Sequence, residues 1–304
     1  MSNYSIPSGF HGVPKFIDYQ FSFFTVPVLL AFVPILYIPA TVVVVFHILS
    51  KFLTEYYERN SLLFFIADFF YIRLPVTGIF TSWCASVEPN GYLIIFLIIT
   101  FYLNYVTMLF PCLVALLRLN LIIFPSDFQK INIKILRWLP LIFLYPILFT
   151  VIMFPGDGYC SHIAYPIFGS ILLRATGTIF GWTNNFLVMF NTFFWFSICF
   201  GFNSVLIVKL IKFKLSVPPS MRSQASHRAE ISLTLTTASM SLSYLTNGLI
   251  TVVGRIFYDL TLFLIVLRPF MNDVDTCVVP WVFYLTHPIF QKKSVNRVMA
   301  SAVE

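Results

Sequence analysis

Apolar residues along this chain fall into long blocks separated by short polar ones. Five intervals contain no Asp, Glu, Lys or Arg: 19–50, 89–117, 138–156, 175–208 and 231–254. Each provides about the 20 predominantly apolar residues that a helix needs to cross a bilayer, so each predicts a membrane-spanning helix. Two further blocks are interrupted by charge. Residues 61–80 have the right length but contain Asp68, Arg73 and Pro75. Residues 273–290 open on acids that a helix dipole favours in its first turn, behind Asn272 as a cap. With both accepted, the expected spans are 22–49, 61–80, 92–117, 136–155, 184–208, 231–254 and 273–290, followed by a tail at 291–304.

The sign of the remaining charge then predicts the orientation. With seven spans and the N-terminus outside, 14 of the 19 Lys and Arg residues fall on the cytoplasmic side, as the positive-inside rule requires. The other five are Lys15, Arg73, Arg174, Arg255 and Arg268. Six spans without 61–80 would break the alternation. The N-x-Ser/Thr sequon Asn3-Tyr4-Ser5 lies outside in this arrangement, where glycosylation of Asn3 takes place. No basic n-region or small-residue cleavage site opens the chain, so the first apolar block is expected to be a retained span. The expected fold is an all-α membrane protein, a seven-transmembrane helix bundle with its N-terminus outside and C-terminus inside.

Composition agrees and removes alternatives. Hydrophobic residues make up 59% of the 304 and charged residues only 10%, against about 25% charged in a soluble domain. A water-soluble enzyme, a disordered chain and a coiled coil are all disfavoured. The net charge of +7 reads as an inner-face bias toward a protein partner or anionic lipid, not as nucleic-acid binding. No internal repeat suggests a transporter.

Few residues carry chemistry. The five histidines form no H-x-x-x-H or H-x-x-H pair, and G-x-S-x-G, P-loop and G-x-G-x-x-G motifs are absent. Neither an enzyme nor a cofactor or metal is expected. Asp68 and Arg73 are costly inside a membrane and are functional candidates for that reason. Five residues apart, they are displaced by more than a helical turn and poorly placed to pair. Either Asp68 faces the interior as an intramembrane polar site, or the helix is shallow and Arg73 snorkels outward. Arg118 closes the third span, seven residues before Pro125. It is either a helix-end anchor or a switch whose partner is Glu230, at the head of the sixth span. Cys112, Cys199 and Cys277 lie in apolar runs, which leaves Cys84 and Cys160, both expected outside, as the candidate disulfide. The alternative is free thiols. Tyr102, Tyr105, Trp195 and Tyr244 are candidates to line a central pocket.

Seven spans, an Arg at the end of the third and a cysteine in each of two outer segments resemble the plan of G-protein-coupled receptors. The usual acid-Arg-Tyr motif is altered, with Leu117 and Leu119 flanking Arg118. His287-Pro288-Ile289-Phe290 stands where Asn-Pro-x-x-Tyr would be. A closer resemblance is to the nematode serpentine chemoreceptors of class U (Sru). It rests on the strings Phe23-Phe24-Thr25-Val26-Pro27-Val28, Tyr37-Ile38-Pro39, Ala67-Asp68-Phe69-Phe70-Tyr71-Ile72-Arg73-Leu74-Pro75 and Thr81-Ser82-Trp83-Cys84-Ala85-Ser86. Further strings are Leu116-Leu117-Arg118-Leu119, Ala229-Glu230-Ile231-Ser232-Leu233-Thr234-Leu235-Thr236-Thr237 and the stretch Cys277 to Phe290. In order, they run nearly the whole chain.

That resemblance implies a chemosensory receptor in the plasma membrane, an external small-molecule ligand and a heterotrimeric G protein as partner. It also implies a longer apolar stretch before Ala67-Asp68 than the six residues after Asn60. The second helix is therefore expected to be truncated at its inner end. The alternatives carried forward are a seven-helix ligand-gated cation channel and a truncated, non-functional receptor.

Overall fold

The computed structural model describes residues 11–49, 63–124, 126–163, 169–176, 182–216, 244–250, 252–253 and 256–286. The first span, α1, starts at Val26–Phe32 with Pro27 in its opening turn, where a missing N–H costs nothing. Pro34 cannot continue an α-helical ladder, and the chain tightens into a 3-10 turn over Val33–Leu36. Helix resumes over Ile38–Leu49. The second span, α2, is α-helical over 63–68, widens into a π-turn over Phe69–Arg73 and closes with Leu74–Val76. It stops short of residue 80 because Gly78 adopts φ +83, a left-handed conformation that ends a helix. A short separate helix, Thr81–Ser86, follows.

α3 runs from Gly91 to Ile123. The Asn90 side chain accepts the Leu93 N–H at 3.0 Å, satisfying one of the unpaired donors at its start. Its 33 residues extend about 50 Å, well beyond the roughly 30 Å of the hydrocarbon core. Helix therefore continues past Arg118, which lies within α3 and not at its end. Phe128–Leu136 precedes α4, Leu139–Thr150, and α5 spans Asn184–Ser216. Residues 244–250 belong to α6; most of the expected span 231–254 lies outside the described residues.

The last helix departs most from expectation. Tyr258–Asp273 is already helical and continues through a π-turn, Val274–Val278, into Val279–Thr286. This continuous element is α7. Asp273 therefore sits in mid-helix, Asn272 is not a cap, and Arg268 is on a helix where an outer loop was expected. Stopping a span at each charge fails where the charge is paired inside the bundle.

The described residues are mostly helical, with one short hairpin in a connection between helices. Between α4 and α5, β1 (Gly158–Ile163) pairs antiparallel with β2 (Ser170–Ala175). Ile171 and Leu173 share one face, paired across the ladder with His162 and Cys160, and both are buried; Ile163 and Ser170, paired at the other end of the ladder, are buried on the opposite face. Gly158 lets β1 lie directly on α3, since a Cβ there would stand 2.5 Å from the Ile94 nitrogen.

Four helices among the described residues are long and apolar enough to cross a membrane: Val26–Val44, Gly91–Leu117, Ile133–Met153 and Asn184–Lys209. Phe24 is 94% exposed and Leu36 83%, surfaces suited to lipid and not to water. One core cluster joins α2, α3 and the hairpin through Ile72, Val76, Leu97 and Ile171. A second joins α3, α5 and α6 through Tyr105, Met108, Cys199 and Tyr244.

Candidate functional site between the first, second and seventh helices

Arg73 is the last residue of the π-turn in α2, and Asp273 immediately precedes the π-turn in α7. A π-turn carries one more residue per turn than its surroundings and redirects the side chains beside it. Here the two charges meet. Arg73 Nη2 donates to Asp273 Oδ1 at 2.5 Å and to the Pro269 carbonyl at 3.0 Å. Tyr37 of α1 donates its hydroxyl to the other carboxylate oxygen of Asp273. Both charged side chains are buried, at 3% and 7% exposed. The rings of Phe65 and Phe270 lie 5.1 and 5.5 Å from the guanidinium carbon, a distance at which a ring quadrupole attracts a cation.

The network continues on either side. Arg268 Nε donates to Asn247 Oδ1 at 2.9 Å, and Asn247 Nδ2 to Asn272 Oδ1 at 3.4 Å, linking α6 to α7. Trp281 Nε1 donates to Thr41 Oγ1 at 3.3 Å, a second tie between α7 and α1. Burial of such ions is costly unless they are paired and hydrogen-bonded, so each partner holds the others in register.

Asp68 is 2% exposed, and neither carboxylate oxygen has a hydrogen-bond partner among the described residues. It is not bonded to Arg73, in keeping with the spacing. Asp273 is the buried, paired charge that the sequence pattern did not mark as an intramembrane group. The available signal was Arg268, Asp273 and Asp275 spaced along one apolar stretch, charges that a mid-helix reading would have required to find partners.

The end of the bundle that carries the hairpin is covered. Cys84 and Cys160 are joined, with their Cα atoms 5.9 Å apart, which ties β1 to the Thr81–Ser86 helix. Ser170 Oγ donates to the Val76 carbonyl at 2.7 Å, and Thr81 Oγ1 donates to Gly169 O. Residues 11–19 fold over the same end: Gly12 N donates to Ala85 O at 2.9 Å, and Phe16 packs on His162 with centroids 4.9 Å apart. Burial lowers the His162 imidazole from its ordinary range, and nearby Lys15 pushes the same way.

The expected pocket-lining aromatics are hydrogen-bonded. Tyr105 donates to Asn184 Oδ1 at 3.3 Å, Trp195 Nε1 to the Tyr145 hydroxyl at 3.1 Å and Tyr102 to Phe143 O at 3.0 Å. The Tyr244 hydroxyl donates to the Met108 carbonyl. These groups knit α3, α4, α5 and α6 together. Glu230 and Asn3 lie outside the described residues, as do Ser61, Leu62 and the tail 291–304.

Comparison with known proteins follows the same outline. The family model described as serpentine type 7TM GPCR chemoreceptor Sru matches residues 10–61 and 56–293. The two matched pieces meet where the second helix was expected to be shortened. A Caenorhabditis elegans protein named Serpentine receptor class U-26 is 46% identical over 259 residues, covering 80% of this chain and 89% of that protein.

Proposed function

This chain belongs to the Sru family of serpentine seven-transmembrane chemoreceptors, and we propose from that premise that it detects an external small molecule and signals through a heterotrimeric G protein. It is an integral multi-pass membrane protein of a receptor family. The proposal adds plasma-membrane residence, seven spans, an outside N-terminus and an inside C-terminus. The observation that carries it is the family match across residues 10–293. That match does not favour the cation channel.

Signalling of this kind needs two arrangements of the helices and a ligand that binds one better than the other. The tie between Tyr37, Arg73 and Asp273 supports such a reading, because it joins three helices through contacts that are either made or broken. Asp68, five residues before Arg73 on the same helix, is proposed as a polar group within the membrane that responds to the same rearrangement. At the cytoplasmic end, Arg118 in α3 and Glu230 are proposed as the switch pair. Cys84–Cys160 is proposed as the outer disulfide, and Asn3 as a glycosylated residue.

The test is expression of the full chain in a heterologous cell with ligand-dependent G-protein activation as the readout. A ligand-gated current that persists without G proteins would overturn the mechanism. The truncated-receptor alternative has its own test, sequencing of the transcript across residues 50–62.

A further inference from the structure

The end of the bundle opposite the hairpin is cationic. α3 begins beside the hairpin at Gly91 and runs away from it to Ile123, and the Phe128–Leu136 helix packs against α3. On that short helix Ile131 and Ile135 are half-buried, whereas Lys130, Lys134 and Arg137 are exposed. Arg137 closes the helix with helical dihedrals, so the three cations, spaced i, i+4 and i+7, share one face. They span about 10 Å of helix. Lys209 and Lys212 are exposed on α5, past the level where Leu206 packs near Leu119 of α3. Residues 118–138 and 200–216 contain one acid, Asp127. It stands 3.5 Å from Lys130, while Lys134 and Arg137 have no ion-pair partner among the described residues.

The neighbours of these two cations set their depth. The membrane-crossing stretch Ile133–Met153 starts inside the same helix, and Trp138 and Ile133 are 67% and 56% exposed. A tryptophan at the entrance of a span sits at the level of the lipid headgroups, which places Lys134 and Arg137 there too. Exposed apolar groups interleaved with unpaired cations fit a partner that is itself both apolar and anionic.

We propose that Lys134 and Arg137 bind the headgroup of a phospholipid carrying more than one phosphate, the chemistry of a phosphoinositide. The guanidinium forks onto one phosphate and the ammonium meets a second as a point charge. Phosphatidylserine offers a single phosphate and no second anchor of that kind. Basic clusters directly beside a span attract such lipids. The inference goes beyond the receptor reading and needs neither its ligand nor its G protein.

The full chain is placed in nanodiscs of phosphatidylcholine doped with a photoactivatable phosphatidylinositol bisphosphate. Peptide mass spectrometry should find the label on the segment from Phe128 to Trp138. Unlabelled phosphatidylinositol bisphosphate should compete about tenfold better than phosphatidylserine at equal total charge, the difference expected of one charge-assisted hydrogen bond. Lys134→Gln with Arg137→Gln should cut labelling about 25-fold at an unchanged melting temperature, fivefold for each cation near an anionic surface. Asp127→Asn releases Lys130 and should tighten competition by about fivefold, a gain that damage to the fold would not produce.

Equal competition by the two lipids, label spread over all lipid-facing segments, or full labelling of the double variant overturns the site. So does an equal fall in Lys209→Gln with Lys212→Gln, which would mean a general field and not a site. A purified heterotrimeric G protein is the other occupant to test. If it binds in pure phosphatidylcholine and releases the double variant while the segment takes no label, the face is a protein contact and the lipid site is refuted. Ligand-dependent G-protein activation is measured separately. Its absence with labelling intact overturns the receptor mechanism and leaves the lipid site standing.

Discussion

Asp273 is the residue on which the polar network turns. Removing its carboxylate by Asp273→Ala leaves the Arg73 guanidinium buried without its acid, and such losses run to about 3–5 kcal/mol. Detergent-solubilised protein should melt at markedly lower temperature. Replacing both charges by apolar groups, Arg73→Met with Asp273→Leu, should recover most of the loss. Additive effects in the double variant would show that the pair is not coupled. His162 makes a second prediction, outside the membrane. Its pKa is lowered from an ordinary 6.5 by burial and by Lys15, so folding favours the neutral ring. Stability from this site is present above about pH 6.5 and is lost as pH falls toward the folded value. Once the intrinsic pH dependence of exchange is divided out, the hairpin amides should therefore be less protected at about pH 5 than at about pH 7.5, and His162→Gln should remove the difference in protection.

At the scale of elements, two π-turns and one hairpin set the geometry. The π-turns place Arg73 and Asp273 opposite each other, and the hairpin closes one end of the bundle. The hairpin depends on how near β1 comes to α3. In Gly158→Ala the new carbon would lie 2.5 Å from Ile94 N and 2.6 Å from the Leu93 carbonyl carbon. Both are backbone atoms of a long helix and cannot swing away. The strand must lift, at about 1–3 kcal/mol for overpacking, and the paired backbone bonds of Asn90 and Gly158 should lose protection in hydrogen exchange. Unchanged exchange would mean the contact is looser than the geometry requires.

At the scale of the whole molecule, the distribution of basic residues predicts orientation. An epitope placed at residue 1 should be labelled on intact cells, and one at residue 304 only after permeabilisation. The reverse pattern would refute an outside N-terminus. The switch pair is tested in G-protein activation by charge exchange. Arg118→Glu and Glu230→Arg should each impair signalling, and the double variant should recover part of it; a double variant equal to the sum of its parts rules out coupling.

Much of this was legible locally. Apolar blocks between charges marked α1, α3, α4 and α5 because lipid requires every crossing segment to be apolar and internally hydrogen-bonded. The order of short strings along the chain carried the family, and Asp68 and Arg73 stood out because charge in a membrane is costly. Two features depended on tertiary structure. The start of α7 was misplaced because Arg268 and Asp273 read as the edges of a loop until their partners were known. Arg73 finds its acid 200 residues away in sequence, across two helices that each widen by a residue to bring the charges together. Hydrophobic patterning is a property of neighbours in the chain, whereas the neutralisation of a buried charge belongs to neighbours in space.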